Sequence, residues 1–91
     1  MLHVIKTVSA LKEAQPFVTE QDVVLLIEDA VYAANPLHQD FVRLRQKNGF
    51  VLEADAKARG VVHRMSPSIA LINYSGFVEL TEQNKTSMTW E

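Results

Sequence analysis

The sequence contains no cysteine. The chain therefore forms no disulfide, and a zinc site built on thiolates is excluded. Glycine and proline are scarce, with three of each, so no segment has the composition of a flexible linker. A chain of 91 residues is the usual size of one domain, and we expect residues 1–91 to fold as a single domain with a modest core.

Long apolar runs are also missing. No stretch approaches the ~20 consecutive apolar residues that a membrane-spanning helix needs. The N-terminus shows no basic segment followed by an apolar run, which a secretory signal peptide would have. We therefore expect a cytoplasmic protein without a membrane contact.

Basic charge is sparse as well. The formal net charge is −2, from 9 basic and 11 acidic residues. Proteins that bind nucleic acids usually carry a basic stripe, because neutralising phosphates supplies most of their affinity. The densest basic stretch here has only Arg43, Arg45 and Lys47, which is typical of a solvated surface. We expect no direct nucleic-acid binding, and we keep a tRNA-binding module built on these three residues as a minor hypothesis.

What is present is an alternation of apolar segments and helical patterns. Residues 23–27 are five consecutive apolar residues, which indicates a strand covered on both faces, as in parallel sheets. Residues 2–6, 50–52 and 69–72 predict further strands, and residues 85–91 predict a fifth strand or a tail. We therefore predict a small three-layer α/β/α domain with a mostly parallel sheet of four or five strands, right-handed crossovers and a flavodoxin-like strand order, the first strand lying inside the sheet.

Helices are predicted between these strands. Apolar residues recur at helical spacing over residues 8–18, with Ser9 as a possible cap and Pro16 ending or distorting the helix. Residues 30–34 form a short helix, and Ser75 caps the last one.

A longer amphipathic helix is predicted over residues 37–47. Leu37, Phe41 and Leu44 lie at i, i+4 and i+7, which is the spacing of one helix face. Residues 48–49 are Asn and Gly, and this pair is expected to end the helix.

Four acidic residues follow two of the predicted strands. Glu28, Asp29, Glu53 and Asp55 would meet at the carboxyl edge of the sheet, where hard oxygen ligands bind Mg²⁺. A stand-alone magnesium-dependent enzyme, catalysing phosphotransfer or hydrolysis, is therefore an alternative. We favour the simpler interpretation, in which Asp29 and Asp55 cap the helices that follow them and Gly60 closes the second.

Other chemistry has weak support. His3, His38 and His63 lack the spacing of metal ligands, and we expect His3 to be a hydrogen-bonded core residue. No serine sits in a GxSxG elbow, and no glycine-rich loop is placed to cradle a phosphate. We expect no catalytic, cofactor-binding or metal-binding residue.

Three aromatic residues are candidates for an interface. Tyr74, Phe77 and Trp90 could form one patch, because aromatic residues are enriched in interface cores. Inward packing is equally compatible with the pattern. The continuous apolar character of so small a sheet adds weight to an oligomer, which leaves an oligomeric binding module as a further alternative.

Three segments together resemble a known family. They are residues 23–34, residues 55–60, with the pattern Asp-x-x-Ala-Arg-Gly, and residues 69–80, which contain Asn-Tyr-x-x-Phe-Val-x-Leu. With an opening Leu-His and the late Trp90, this set resembles the TusB/DsrH branch of the DsrE/DsrF/DsrH sulfur-relay family. The resemblance covers nearly the whole chain. One departure is Ala30, where the family usually has glycine, and alanine there requires a negative φ or some strain.

The resemblance implies a DsrEFH-like strand order and a subunit of a TusBCD-type complex. Such a complex is a heterohexamer, a dimer of heterotrimers with TusC- and TusD-like subunits, that passes persulfide sulfur toward 2-thiouridine at the tRNA wobble position. In the family the relay cysteine belongs chiefly to the TusD/DsrE-type subunit, although some DsrH-like chains carry one near the place of Ala14. Since thiolate is the sulfur nucleophile, the resemblance implies a non-catalytic subunit, which we expect to form a homo-oligomer when isolated.

Overall fold

Five parallel strands form one sheet in the computed structural model, which describes residues 1–91. The strands are β1 (Leu2–Ile5), β2 (Val23–Leu26), β3 (Asn48–Leu52), β4 (Ala70–Ile72) and β5 (Ser87–Trp90). Their order in the sheet is β4-β3-β2-β1-β5, and every neighbouring pair is parallel. The predicted α/β class and the inner position of the first strand are confirmed, and residues 87–90 form a fifth strand.

The strand order differs from the flavodoxin-like order 2-1-3-4-5. Here β2 lies between β1 and β3, and β5 returns to the free side of β1. The first four strands therefore advance in one direction, and only the last connection crosses back over the sheet.

Helices connect the strands. The α-helices are α1 (Val8–Ala14), α2 (Glu53–Ala58) and α3 (Tyr74–Gln83). Four 3₁₀ helices span Gln15–Phe17, Glu28–Ala34, Phe41–Leu44 and Val62–Arg64. None of these helices combines the length and the apolar content needed to cross a bilayer.

Apolar side chains form two cores, one on each face of the sheet. Along β2, Val24 and Leu26 enter the larger core, which α1, α2 and the 3₁₀ helix Glu28–Ala34 cover. Val23 and Leu25 enter the smaller core, to which α3 contributes Leu80. Coverage on both faces explains why the run of residues 23–27 shows no alternation.

The amphipathic helix predicted over residues 37–47 is wrong. Only Phe41–Leu44 is helical, as a 3₁₀ turn, and Leu37 is 92% exposed. The N–H of Asp40, which an α-helix would bond to the carbonyl of Pro36, donates to His38 Nδ1 instead. The N–H groups of Phe41 and Arg43 bond carbonyls three residues back, which is 3₁₀ bonding. Residues 48–49 then begin β3 rather than ending a helix.

Two predicted caps are displaced by two residues. The N-cap of α1 is Thr7 and not Ser9, since Thr7 Oγ1 accepts the N–H of Ala10 at 3.0 Å. The N-cap of α3 is Asn73 and not Ser75, since Asn73 Oδ1 accepts the N–H of Gly76 at 2.9 Å. Pro16 lies in the 3₁₀ turn that follows α1, and its predicted effect on that helix is confirmed.

Candidate functional site

The carboxyl edge of the sheet carries a network of ion pairs. Lys6 follows β1, whose neighbours are β2 and β5, and its Nζ lies 2.8 Å from Glu91 Oε1 and 3.9 Å from Glu28 Oε2. The hydrogen bond to Glu91 raises the pKa of Lys6, and the same bond lowers the pKa of Glu91. These groups hold opposite charges at neutral pH and neutralise each other.

A second set of pairs joins the turn after β2 to α2. Arg59 Nε donates to Asp29 Oδ1 at 2.8 Å, and Arg59 Nη1 lies 3.9 Å from Asp55 Oδ1. The bond to Asp29 raises the pKa of Arg59. Gly60, which follows Arg59, has φ 68°. Its N–H donates to the carbonyl of Lys57, and the N–H of Val61 donates to the carbonyl of residue 56. This pair of bonds is the Schellman motif that ends a helix.

The caps predicted for Asp29 and Asp55 are wrong for their own helices. Neither the 3₁₀ helix Glu28–Ala34 nor α2 has a side-chain cap. Asp55 Oδ2 instead accepts the backbone N–H of Glu28 at 2.7 Å, across the sheet edge. The carboxylates bind groups on another element because both lie within the first turn rather than before it.

The turn after β2 contains a left-handed residue at Glu28. Its φ is 49°, whereas Ala30 is not among the residues with positive φ. Alanine at position 30 therefore needs no special backbone conformation, and its buried methyl group joins the larger core.

The four carboxylates do not assemble a metal site. Asp29 and Asp55 bind Arg59, and Glu53 lies 3.6 Å from Lys57 Nζ. Residues 1–91 contain no group of three or more His, Asp or Glu residues placed to hold a metal ion. The geometry thus gives no support to the magnesium-dependent alternative.

His3 is a buried, hydrogen-bonded residue, as predicted, with 1% exposure. Its Nε2 lies 2.9 Å from Asp22 Oδ2, and Trp90 Nε1 donates to its Nδ1 at 3.1 Å. An indole N–H only donates, so Nδ1 is the acceptor and Nε2 carries the proton that is donated to Asp22. These two bonds fix the orientation of the imidazole and the roles of its two nitrogens.

Asp22 is the member of this chain of bonds that sequence reasoning missed. It also accepts the backbone N–H of Thr19 at 3.0 Å and lies 3.2 Å from the amino group of Met1. The bond from Thr19, and then that from His3, hold the pKa of Asp22 well below its usual range. Such a carboxylate is an anchor rather than a base. The available signal was its place directly before β2, one residue before the register partner of Leu2.

The three predicted interface aromatics are not brought together. Tyr74 is 63% exposed at the start of α3, and Phe77 packs against the smaller core. Trp90 packs against the larger core, on the opposite face and at the opposite edge of the sheet. One patch containing all three is therefore wrong, and an interface role for each separately stays a prediction.

Trp90 instead belongs to an apolar cleft along β5, which we call the β5-edge cleft. The cleft has a volume of about 460 Å³ and is lined by Met1, His3, Phe17, Met88 and Trp90. The ring of Trp90 stacks on His3 and on Phe17, with centroid distances of 6.2 and 5.8 Å. Phe17 is nevertheless 66% exposed and Met88 47% exposed, so this cleft is an apolar surface.

The basic stretch is largely engaged within the fold. Arg43 donates to Asp40 at 2.8 Å and to Gln15 at 2.7 Å. Lys47 donates to a backbone carbonyl at 3.2 Å. Two of the three cations thus have partners inside the chain, which adds nothing in favour of RNA binding.

Comparison with known proteins gives one consistent result. Residues 7–87 match the family model described as "DsrH like protein". The protein named "Protein TusB" of Yersinia enterocolitica serotype O:8 is 36% identical over 75 residues, 80% of this chain and 79% of that protein. Proteins of the same name from Yersinia pestis strain Pestoides F and Yersinia pseudotuberculosis serotype O:1b are 37% identical over 75 residues, 79% of this chain and 78% of theirs. This chain therefore belongs to the DsrH-like protein family.

Proposed function

We propose that this chain is a non-catalytic subunit of a cytoplasmic TusBCD-type sulfur relay, which passes persulfide sulfur toward 2-thiolation of the wobble uridine in tRNA. The observation that carries the proposal is a family membership combined with a missing residue. The chain is similar over most of its length to proteins named TusB, and it has no cysteine.

The missing thiol limits the chemistry of this subunit. A persulfide needs a thiolate to accept sulfur, and the thioether of methionine does not replace it. Ala14, the place closest to the cysteine of some DsrH-like chains, is fully buried in the larger core. Sulfur must then be carried by a partner.

The charged groups at the sheet edge support a structural role. Asp29, Asp55 and Arg59 bind one another or the backbone between the turn after β2 and α2. These contacts fix the local conformation, and both carboxylates of the set are paired. In the proposed assembly, TusC- and TusD-like subunits supply the reacting thiol, and the hexamer is a dimer of heterotrimers.

Co-expression tests the assembly. We expect this chain to co-purify with a TusC/TusD-like pair as one species whose mass, measured by light scattering, corresponds to two copies of each subunit. A chain that stays separate from both partners would contradict the proposal.

A second measurement tests the non-catalytic role. With a labelled sulfur donor, alkylation and mass spectrometry should place the persulfide on a partner cysteine and never on this chain. Omitting this chain should lower 2-thiouridine in tRNA, and unchanged 2-thiouridine would show that the relay does not need it.

A further inference from the structure

The hydrogen bonds between β1 and β5 show which residues of β5 have backbone N–H and C=O groups that face away from β1. On the inner side, Leu2 N–H donates to Thr86 O and Lys6 N–H donates to Trp90 O. In a parallel pair, each hydrogen-bonded residue directs its N–H and C=O toward the same neighbour, and these residues alternate along the strand. Even-numbered residues of β5 therefore face β1, and Ser87 and Thr89 present their N–H and C=O groups outward at the edge of the sheet.

We propose that two copies of this chain form a homodimer by antiparallel pairing of β5 with β5 about a two-fold axis at Met88. In an antiparallel pair of two copies of one strand, the numbers of two opposing residues always add up to the same value. A residue whose N–H and C=O groups face outward must also lie opposite another such residue, so that the two form hydrogen bonds. Centring on Met88 satisfies this rule, because Ser87 opposes Thr89 of the second copy as a hydrogen-bonded pair. Met88 opposes Met88 as a non-hydrogen-bonded pair, in which side chains are closest.

Charge complementarity selects this register. Lys85 lies in the bend before β5, and Glu91 directly follows β5. Pairing centred on Met88 brings Lys85 to the side of Glu91 of the second copy, and the two-fold axis repeats that pair. A shift of the axis to Ser87 or Thr89 removes both ion pairs. Glu91 is 71% exposed although it binds Lys6, so it is accessible to a second lysine. Opposite charges facing each other across strands favour their register, and like charges oppose it.

The β5-edge cleft supplies apolar area for the contact. Met88 and Trp90 lie on the face of β5 that borders the cleft, together with Met1 and Phe17. A stable interface buries about 800 Å² per partner, which a four-residue strand alone does not provide. Pairing brings the two clefts together at the axis, where the flexible Met88 of one copy can enter the aromatic cleft of the other.

The opposite edge of the sheet lacks these features. The edge strand β4 has three residues, Ala70–Ile72, with Pro67 shortly before it, a residue that commonly blunts edges. No pair of opposite charges flanks this strand at symmetric positions. The edge formed by β5 is thus the one suited to a second copy.

Cysteine cross-linking tests the register directly. Because the chain has no cysteine, Met88→Cys introduces a single thiol. A non-hydrogen-bonded pair has a Cα separation of about 4.5 Å, within the 4.4–6.8 Å of disulfides. Ser87→Cys is the matched control on the same exposed strand, because residue 87 opposes residue 89. We expect Met88→Cys to form covalent dimers at least about tenfold faster under mild oxidation.

Sedimentation tests the dimer without a cross-link. We expect the wild-type chain to dimerise at micromolar concentrations, and Lys85→Glu to raise the dimer dissociation constant several-fold. Adding Glu91→Lys to Lys85→Glu should restore it, and Met88→Lys should give a monomer with an unchanged circular dichroism spectrum. A wild-type monomer at several hundred micromolar, or equal cross-linking at positions 87 and 88, overturns the proposal. So does a β5 edge that cross-links only to a relay subunit.

Discussion

Trp90 Nε1 donates a hydrogen bond to His3 Nδ1 at 3.1 Å, which joins the last strand of the chain to the first. The same two rings are stacked, with 28° between their planes. His3 is also hydrogen-bonded, through Nε2, to Asp22, which precedes β2. Three segments far apart in sequence are thus tied together on one face of the sheet. Their contacts lead to the first two predictions.

Replacing Trp90 by Phe should destabilise the fold by more than the loss of buried apolar area alone would cost. The variant keeps an aromatic ring on His3, but it leaves Nδ1 of a buried imidazole without a donor. An unsatisfied buried group costs about 1–3 kcal/mol. Phe17→Leu is the control, because it removes a ring stacked on Trp90 without removing a hydrogen bond. Urea unfolding of both variants checks this, and an equal loss in the two would refute it.

Asp22 should make the free energy of unfolding depend on pH in the acid range. Its pKa in the folded chain lies below the ordinary value of 3.8, so the unfolded chain takes up a proton first. The stabilisation is present above about pH 4 and is lost as pH falls toward the lower, folded pKa.

Asp22→Asn checks that dependence. At pH 7 we expect the variant to lose about 1.5–3 kcal/mol, as for hydrogen bonds to a charged group, and the gap from wild type should narrow progressively as pH falls below about 4. Glu20→Gln, at an exposed acid two residues away, should follow the wild-type curve. A constant gap between pH 7 and pH 3 would contradict the assignment.

The strands were predictable because buried strands consist of short runs of consecutive apolar residues, which are visible in the local sequence. Residues 23–27 are apolar throughout since alternate side chains enter different cores. The strand order was not predictable, because no local pattern states on which side of β1 the last strand returns. That choice depends on contacts between residues far apart, such as His3 and Trp90.

The helix ends and the carboxyl-edge residues were harder to predict for a related reason. Asp29 and Asp55 have the residue type of a cap, but their partners, Arg59 and the Glu28 N–H, lie on other elements. The helix expected over residues 37–47 had the correct apolar spacing. The His38 side chain nevertheless binds the backbone N–H of Asp40, a competition that hydrophobic periodicity does not reveal.

Glycine should have opposite effects at positions 28 and 30. Glu28 has φ 49°, a conformation that costs an L-residue about 1–2 kcal/mol. Glu28→Gly removes that cost and loses only an exposed contact to Lys6 at 3.9 Å, so we expect stability to stay the same or rise by up to about 1 kcal/mol.

Ala30→Gly is the matched comparison, and it introduces the glycine that the family resemblance led us to expect at this position. Position 30 needs no left-handed backbone, and its methyl group is fully buried. We expect a loss of about 1 kcal/mol or more, from greater backbone freedom in the unfolded chain and from lost packing. Denaturant midpoints measure both variants. A stabilising Ala30→Gly would show that the turn prefers glycine there after all.

Gly76 should tolerate no side chain, although it lies within α3. An added Cβ would stand 2.9 Å from Cβ of Ile72, an atom close to the backbone of the neighbouring segment. Alanine normally favours a helix by about 1 kcal/mol over glycine, but overpacking costs about 1–3 kcal/mol. We therefore expect Gly76→Ala to lower the melting temperature by several degrees.

Gly49→Ala separates this clash from a general intolerance of added volume. Its new Cβ would meet only Cδ1 of Ile69, at 3.0 Å, and that atom is the flexible end of a side chain that can turn away. The loss should be clearly smaller than for Gly76→Ala. Since 1 kcal/mol shifts the melting temperature of a domain this size by about 4–8 °C, calorimetry resolves the difference. A Gly76→Ala variant that melts at or above the wild-type temperature would mean that α3 can move away from β4, and that the smaller core is looser than its contacts indicate.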